Sequence, residues 1–119
     1  MKKNLLILIF SVLATAAYSQ KKQLVEYKED IIKMAIAELD IASRGPDGAI
    51  FKESAGISGQ YVFDITIREK GKTATVFVVN DGINPINMQN RLKDIVKQFR
   101  YSFKVPKGKS YKFEYTFNF

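Results

Sequence analysis

The chain contains no cysteine and no histidine, and these two absences remove most of the side chains that carry covalent and metal chemistry. No thiolate or imidazole is available to ligate a metal, and neither a Ser-His-Asp triad nor a Cys-His pair can form. No disulfide can brace the fold, so stability has to come from packing. Phosphate-cradling loops are missing as well. Neither Gly-x-Gly-x-x-Gly nor the full Gly-x-x-x-x-Gly-Lys-Ser/Thr pattern occurs, and Gly56-Ile57-Ser58-Gly59 is too short to replace them. Acid–base work by carboxylates is the chemistry that remains. Asp64, Glu69, Asp81, Asp94 and Glu114 do not cluster along the chain, and Asp47 and Asp81 each precede a glycine, where hydrogen bonding to the local backbone is their ordinary role. The expectation is a protein with no catalytic residue, no metal site and no cofactor. With only three prolines, the chain has no Pro-rich linker, and it has no internal repeat or low-complexity tract.

The N-terminus follows a recognisable order. Lys2 and Lys3 precede an apolar run from Leu5 to Ala17, broken only by Ser11 and Thr15, and Ala17-Tyr18-Ser19 puts small residues at the two positions a signal peptidase reads. Positive, apolar, small-x-small predicts a cleavable secretory signal over residues 1–19, cut between Ser19 and Gln20. The run falls short of the roughly 20 apolar residues of a spanning helix, and an uncleaved anchor is the alternative. No cysteine follows the run, which rules out a lipoprotein's lipid anchor. On this reading residues 20–119 form one domain in the periplasm, with no transmembrane segment after cleavage and with secretion as the alternative location.

Charge is uneven along that domain. The whole chain has 19 basic and 12 acidic residues. Residues 91–119 carry eight basic residues against two acidic ones, a net of +6, while residues 20–90 sum to −1. A basic end of this kind suits an anionic partner, or equally serves as a solvated surface that keeps a small protein soluble.

Periodicity supplies the fold class. Leu24 to Arg44 predicts a helix, with Leu24, Ile31, Ala35, Leu39 and Ala42 at helical spacing. Gly45-Pro46-Asp47-Gly48 stops it in a turn. Ala49 to Gly59 is mixed: Ile50 and Phe51 suit the beginning of a short edge strand, while Gly56 and Gly59 argue for a loop. From Gln60 the period becomes two: Tyr61, Phe63, Ile65 and Ile67 alternate with Val62, Asp64, Thr66 and Arg68. Lys70-Gly71-Lys72 predicts a hairpin turn and Thr73–Asn80 the return strand, closed by Asn80-Asp81-Gly82. Asn84 and Pro85 suit the N-cap and first position of a second helix, with a start at Asn87 as the alternative, and Met88, Leu92, Ile95, Val96 and Phe99 give it one apolar face. Tyr101, Phe103 and Val105 alternate briefly before a Pro106-Lys107-Gly108 turn. The final strand alternates Tyr111, Phe113, Tyr115, Phe117 and Phe119 with polar residues. The order α-β-β-α-β predicts an α+β two-layer sandwich, an antiparallel sheet of three to four strands against two helices. The aromatic strand does not mark an outer-membrane barrel, which needs at least eight strands. The interleaving of aromatics with lysines could suit nucleic acid, but the same alternation fits a core, and export argues against nucleic acid as a partner.

From Gly59 onward the chain resembles the C-terminal domain of TonB-type energy transducers. The resemblance rests on Gly59 leading into a strand, Gly71 in a hairpin, the β-rich Thr73–Asn80 and the Asp81-Gly82 connection. It continues through the amphipathic Met88–Phe99, Phe103-Lys104-Val105-Pro106, the turn at Gly108 and the closing Tyr111–Phe119. The family's retained membrane anchor and Pro-rich spacer are not in this sequence, so the resemblance implies a fold and a mode of binding rather than energy transduction. The expectation is an envelope interaction domain that binds an envelope protein by strand addition to a sheet edge, at or beside Tyr111–Phe119. Lys104, Lys107, Lys109, Lys112, Tyr111 and Tyr115 are the candidate partner-binding residues. A small-ligand or anionic envelope-polymer binder is the alternative, and the oligomeric state is left open.

Overall fold

Strict alternation in a strand sorts its side chains onto two faces, and this sorting organises the molecule. The computed structural model describes residues 22–79 and 83–119. The expected signal segment over residues 1–19 and the turn expected at Asn80-Asp81-Gly82 lie outside the described residues. In chain order the elements are β1 (Gln23–Leu24), α1 (Lys28–Arg44), α2 (Ala49–Glu53), β2 (Gln60–Arg68), β3 (Lys72–Val78), α3 (Ile86–Gln98), β4 (Phe103–Lys104) and β5 (Ser110–Asn118). The long strands form an antiparallel sheet in the order β3-β2-β5, and β1 and β4 form a separate parallel pair. The helices cover one face of the three-stranded sheet, giving an α+β two-layer sandwich.

The core is the odd-numbered face. Tyr61, Phe63, Ile65 and Ile67 of β2 are fully buried. Their partners across the strand boundary, Phe117 opposite Tyr61, Tyr115 opposite Phe63 and Phe113 opposite Ile65, are buried with them. Phe63 and Phe117 meet edge-on at 5.7 Å, and Tyr115 and Phe117 at 4.6 Å. Edge-on pairs add about 0.5–1.5 kcal/mol beyond their burial. Ile31, Ala35 and Leu39 of α1 and Leu92 and Val96 of α3 close this layer from above. On the opposite face Lys112 and Glu114 are exposed.

Several local expectations are corrected. Leu24 does not open the first helix. It pairs with Lys104 in β1–β4, Val25 N–H donates to Lys104 O at 2.9 Å, and the helix begins at Lys28. Residues Ala49–Glu53 are helical rather than an edge strand. No strand pairs with them, and Lys52 N–H and Ser54 N–H donate to Gly48 O and Ile50 O, closing the turns locally. Asn84 does not cap α3. Its amide donates to Gln60 O at 2.6 Å, while Pro85 occupies the cap position and its carbonyl accepts from Gln89 N–H. The return strand begins at Lys72 and runs to Val78.

Polar staples fix the helices and loops. Both Glu38 carboxylate oxygens accept from Ser102, one from its N–H at 2.8 Å and one from its hydroxyl at 2.6 Å. The Arg91 guanidinium donates to Ala55 O and Glu53 O at 2.8 and 2.9 Å, so one cation of the basic end works inside the fold. No helix among the described residues is long and apolar enough to cross a membrane.

Candidate interaction site

The two outer edges of the sheet differ. At β3 the edge is closed at its start: Lys72 bridges Arg100, the Thr73 hydroxyl donates to Phe99 O at 3.1 Å, and Tyr101 N–H donates to Gly71 O at 2.9 Å. Lys93, Asp94 and Lys97 of α3 then flank Ala74–Phe77. At β5 the outer edge pairs with no strand among the described residues.

The hydrogen-bond phase of β5 follows from its end. Gly59 and Phe119 exchange both backbone hydrogen bonds, at 3.1 and 2.9 Å. In an antiparallel ladder such pairs alternate with non-bonded ones. The odd residues Tyr111 to Phe117 therefore turn their N–H and C=O toward β2. Ser110, Lys112, Glu114, Thr116 and Asn118 turn theirs outward. Among the described residues the edge thus offers a row of unpaired donors and acceptors, the template that strand addition uses. Lys112, in the first part of β5, is the kind of charge that keeps such an edge from pairing indiscriminately.

The predicted site residues separate into three environments. Tyr115 points inward. Its ring is buried, and its hydroxyl donates to the Asp40 carboxylate with Ser43 Oγ at 3.3 Å. Burial, and then the hydrogen bond to Asp40, push its ionisation above the ordinary phenol value. At this edge the strand therefore presents the backbone next to Tyr115, not its ring. Tyr111 is half-buried at the start of the same row, and Lys109 and Lys112 are exposed beside it. Lys104 and Lys107 stand elsewhere, in a cleft of about 680 Å³ with Lys22 and Lys70.

Lys22 and Lys70 escape a linear reading because only the β1–β4 pairing and the β2–β3 turn bring them to Lys104. A second missed feature lies at the Phe119 end of β5: a surface pocket of about 520 Å³ whose apolar lining includes Pro46, Phe51, Ile57 and Phe119. Phe51 is 44% exposed there, and its exposure follows from the short helix that the sequence pattern does not announce.

No group of three or more acidic residues positioned to hold a metal occurs among the described residues. Compared with protein-family models, with curated proteins and with solved structures, the chain finds no match in any of the three.

Proposed function

We propose that this chain is a non-catalytic interaction domain of the bacterial envelope, similar in design to the C-terminal domain of TonB-type transducers, that accepts an extended segment of an envelope protein as an added strand on β5. The observation that carries this reading is the open outer edge of the nine-residue β5, beside a β3 edge that is closed at its start. Main-chain bonds along the edge supply affinity, and alternate side chains of the guest read the surface beside it. The pocket at Pro46, Phe51, Ile57 and Phe119 favours a guest with a bulky apolar residue at that end. Lys109 and Lys112 favour acidic residues at the other.

Proline scanning tests the mode of binding, because proline removes one N–H from a known side of the strand. Glu114 has its N–H outward, so Glu114→Pro should leave the internal ladder intact, as proline at a sheet edge generally does. Tyr115→Pro removes a ladder bond and should unfold the domain. The expected outcome of affinity capture from an envelope extract is a discrete partner that wild type retains and a folded Glu114→Pro variant loses. Equal capture of that partner by both proteins would rule out strand addition at β5.

A further inference from the structure

The cleft that holds Lys104 and Lys107 is assembled from three segments far apart in sequence. The β1–β4 pairing joins Gln23 to Phe103 and Leu24 to Lys104, and Tyr101 N–H to Gly71 O joins the β2–β3 turn to the same strand. Gly71 is packed so tightly here that a Cβ would come within 2.4 Å of Phe103 O and 2.7 Å of Tyr101 O, and its φ of +71° is one that L residues avoid. The three segments are therefore held in fixed relation to one another.

The charges within this frame are of nearly one sign. Among the described residues, Lys22, Lys70, Lys104 and Lys107 line the cleft with Glu69 as its one acid. A cleft lined by one sign of charge focuses its field on whatever anion enters. Two of the cations are also constrained. Lys22 Nζ donates to Tyr101 O at 2.8 Å and to Lys70 O at 3.2 Å. An ammonium has three donors, so one is left to offer a ligand from a position already fixed. Lys70 sits at φ +65°, a left-handed conformation that glycine would hold more easily, so this lysine occupies the turn against local preference. The remaining lining is apolar: Leu24, half-exposed, with Val105 and Pro106.

We propose that this cleft binds an amphiphile with a phosphate monoester head. A phosphate carries about −1.5 to −2 at neutral pH, which answers a net +3 of side-chain charge better than a monocarboxylate does, and lysine binds phosphate as a point charge. The first methylenes of the tail lie along Leu24, Val105 and Pro106. The site does not depend on strand addition, because none of its residues lies on the outer edge of β5.

Titration of the full chain, followed by amide NMR shifts, tests the proposal with four probes: inorganic phosphate, hexyl phosphate, hexanoate, and phosphatidylcholine vesicles with or without phosphatidic acid. Hexyl phosphate is expected to saturate one site, shift Leu24, Lys70, Lys104 and Lys107, and bind at least about tenfold more tightly than inorganic phosphate because its methylenes leave water. It should also exceed hexanoate. Lys104→Ser with Lys107→Ser should lose at least about tenfold in affinity, in line with charge-assisted contacts, while Lys97→Ser, exposed on α3 and outside the cleft, changes nothing. Lys70→Gly should weaken binding without loss of folding, since glycine accepts the turn. Binding to phosphatidic acid vesicles assigns the head to a membrane lipid, and binding of hexyl phosphate without vesicle binding assigns it to a soluble phosphate ester. Equal affinity for inorganic and hexyl phosphate overturns the amphiphile. Absence of saturable shifts, or an equal loss from Lys97→Ser, overturns the site.

Discussion

Tyr101 is a fully buried phenol whose oxygen makes no well-formed hydrogen bond among the described residues: the Thr73 hydroxyl lies close enough to oppose its shift in ionisation but donates to Phe99 O instead. A buried donor left unmade costs the desolvation of that group. Tyr101→Phe keeps the ring contacts with Phe99 and Phe103 and removes the orphaned hydroxyl. It should stabilise the domain by about 1 kcal/mol, read as a higher midpoint in urea. The same residue governs behaviour in alkali. Burial raises its ionisation far above the ordinary value of 10.0, outweighing the opposing influence of Thr73, and Tyr115 is raised as well. An unfolded phenol gives up its proton near pH 10, whereas these folded phenols keep theirs. Rising pH then favours the unfolded chain, so the stability from these tyrosines is complete below about pH 10 and is lost above it. With no histidine in the chain, no side chain of ordinary pKa titrates near neutrality. Urea midpoints across pH 8–12 should fall above about pH 10, and less steeply in Tyr101→Phe. Phe117 makes the contrasting case. It is 1% exposed between Phe63 and Tyr115, and Phe117→Ala should cost about 3–5 kcal/mol. Small domains hold only about 5–15 kcal/mol in all. Thr116→Ala, on the opposite face, should cost far less, and thermal melts of the two variants measure the difference.

At the scale of elements, the legible parts of the fold are those whose burial repeats over many residues. β2 and β5 each bury every second side chain for most of nine residues, so period two is written plainly in Tyr61–Ile67 and Tyr111–Phe117. The stripe of α1 repeats often enough to be read, although its first turn was misplaced. Leu24 has the right spacing for a helix, but a two-residue pairing with Lys104, set by tertiary contact, takes it first. α2 is five residues long, less than two helical turns, and no periodicity can establish itself in that span. Asn84 is a good cap by type, yet the carbonyl of Gln60 offers it a partner that only the folded chain brings near. Of the candidate site, the strand and its aromatic rhythm were readable. The direction of Tyr115, the openness of one edge and the gathering of Lys22 and Lys70 with Lys104 depend on sheet order and on contacts between distant segments. The β2–β3 turn gives a prediction at this scale. Gly71→Ala places a Cβ against two carbonyl oxygens, so it should destabilise the domain by more than the roughly 0.5–1 kcal/mol by which glycine and alanine differ in ordinary backbone, and amide shifts of Tyr101 and Phe103 should move with it.

For the whole molecule, the excess of positive charge near the C-terminus divides among different tasks. Arg91 braces α3 against the end of α2, Lys104 and Lys107 line the cleft, and Lys109 and Lys112 flank the open strand. Exposed charges act over about 8 Å at physiological ionic strength. Strand addition assisted by Lys109 and Lys112 should therefore weaken as salt rises. Changing both to Ser should slow association more than it speeds dissociation, as surface charges do in other interfaces. Stopped-flow association across a salt series measures this, and a rate indifferent to salt removes these lysines from recognition. The most direct measurement is amide hydrogen exchange along β5, free and with the captured partner. In the free domain the N–H groups of Lys112, Glu114, Thr116 and Asn118 point outward and should exchange fast, while those of Phe113, Tyr115 and Phe117, bonded to β2, exchange slowly. Strand addition predicts that the even-numbered set becomes protected in the complex. Protection elsewhere on the domain, with those four amides still exchanging fast, would contradict it.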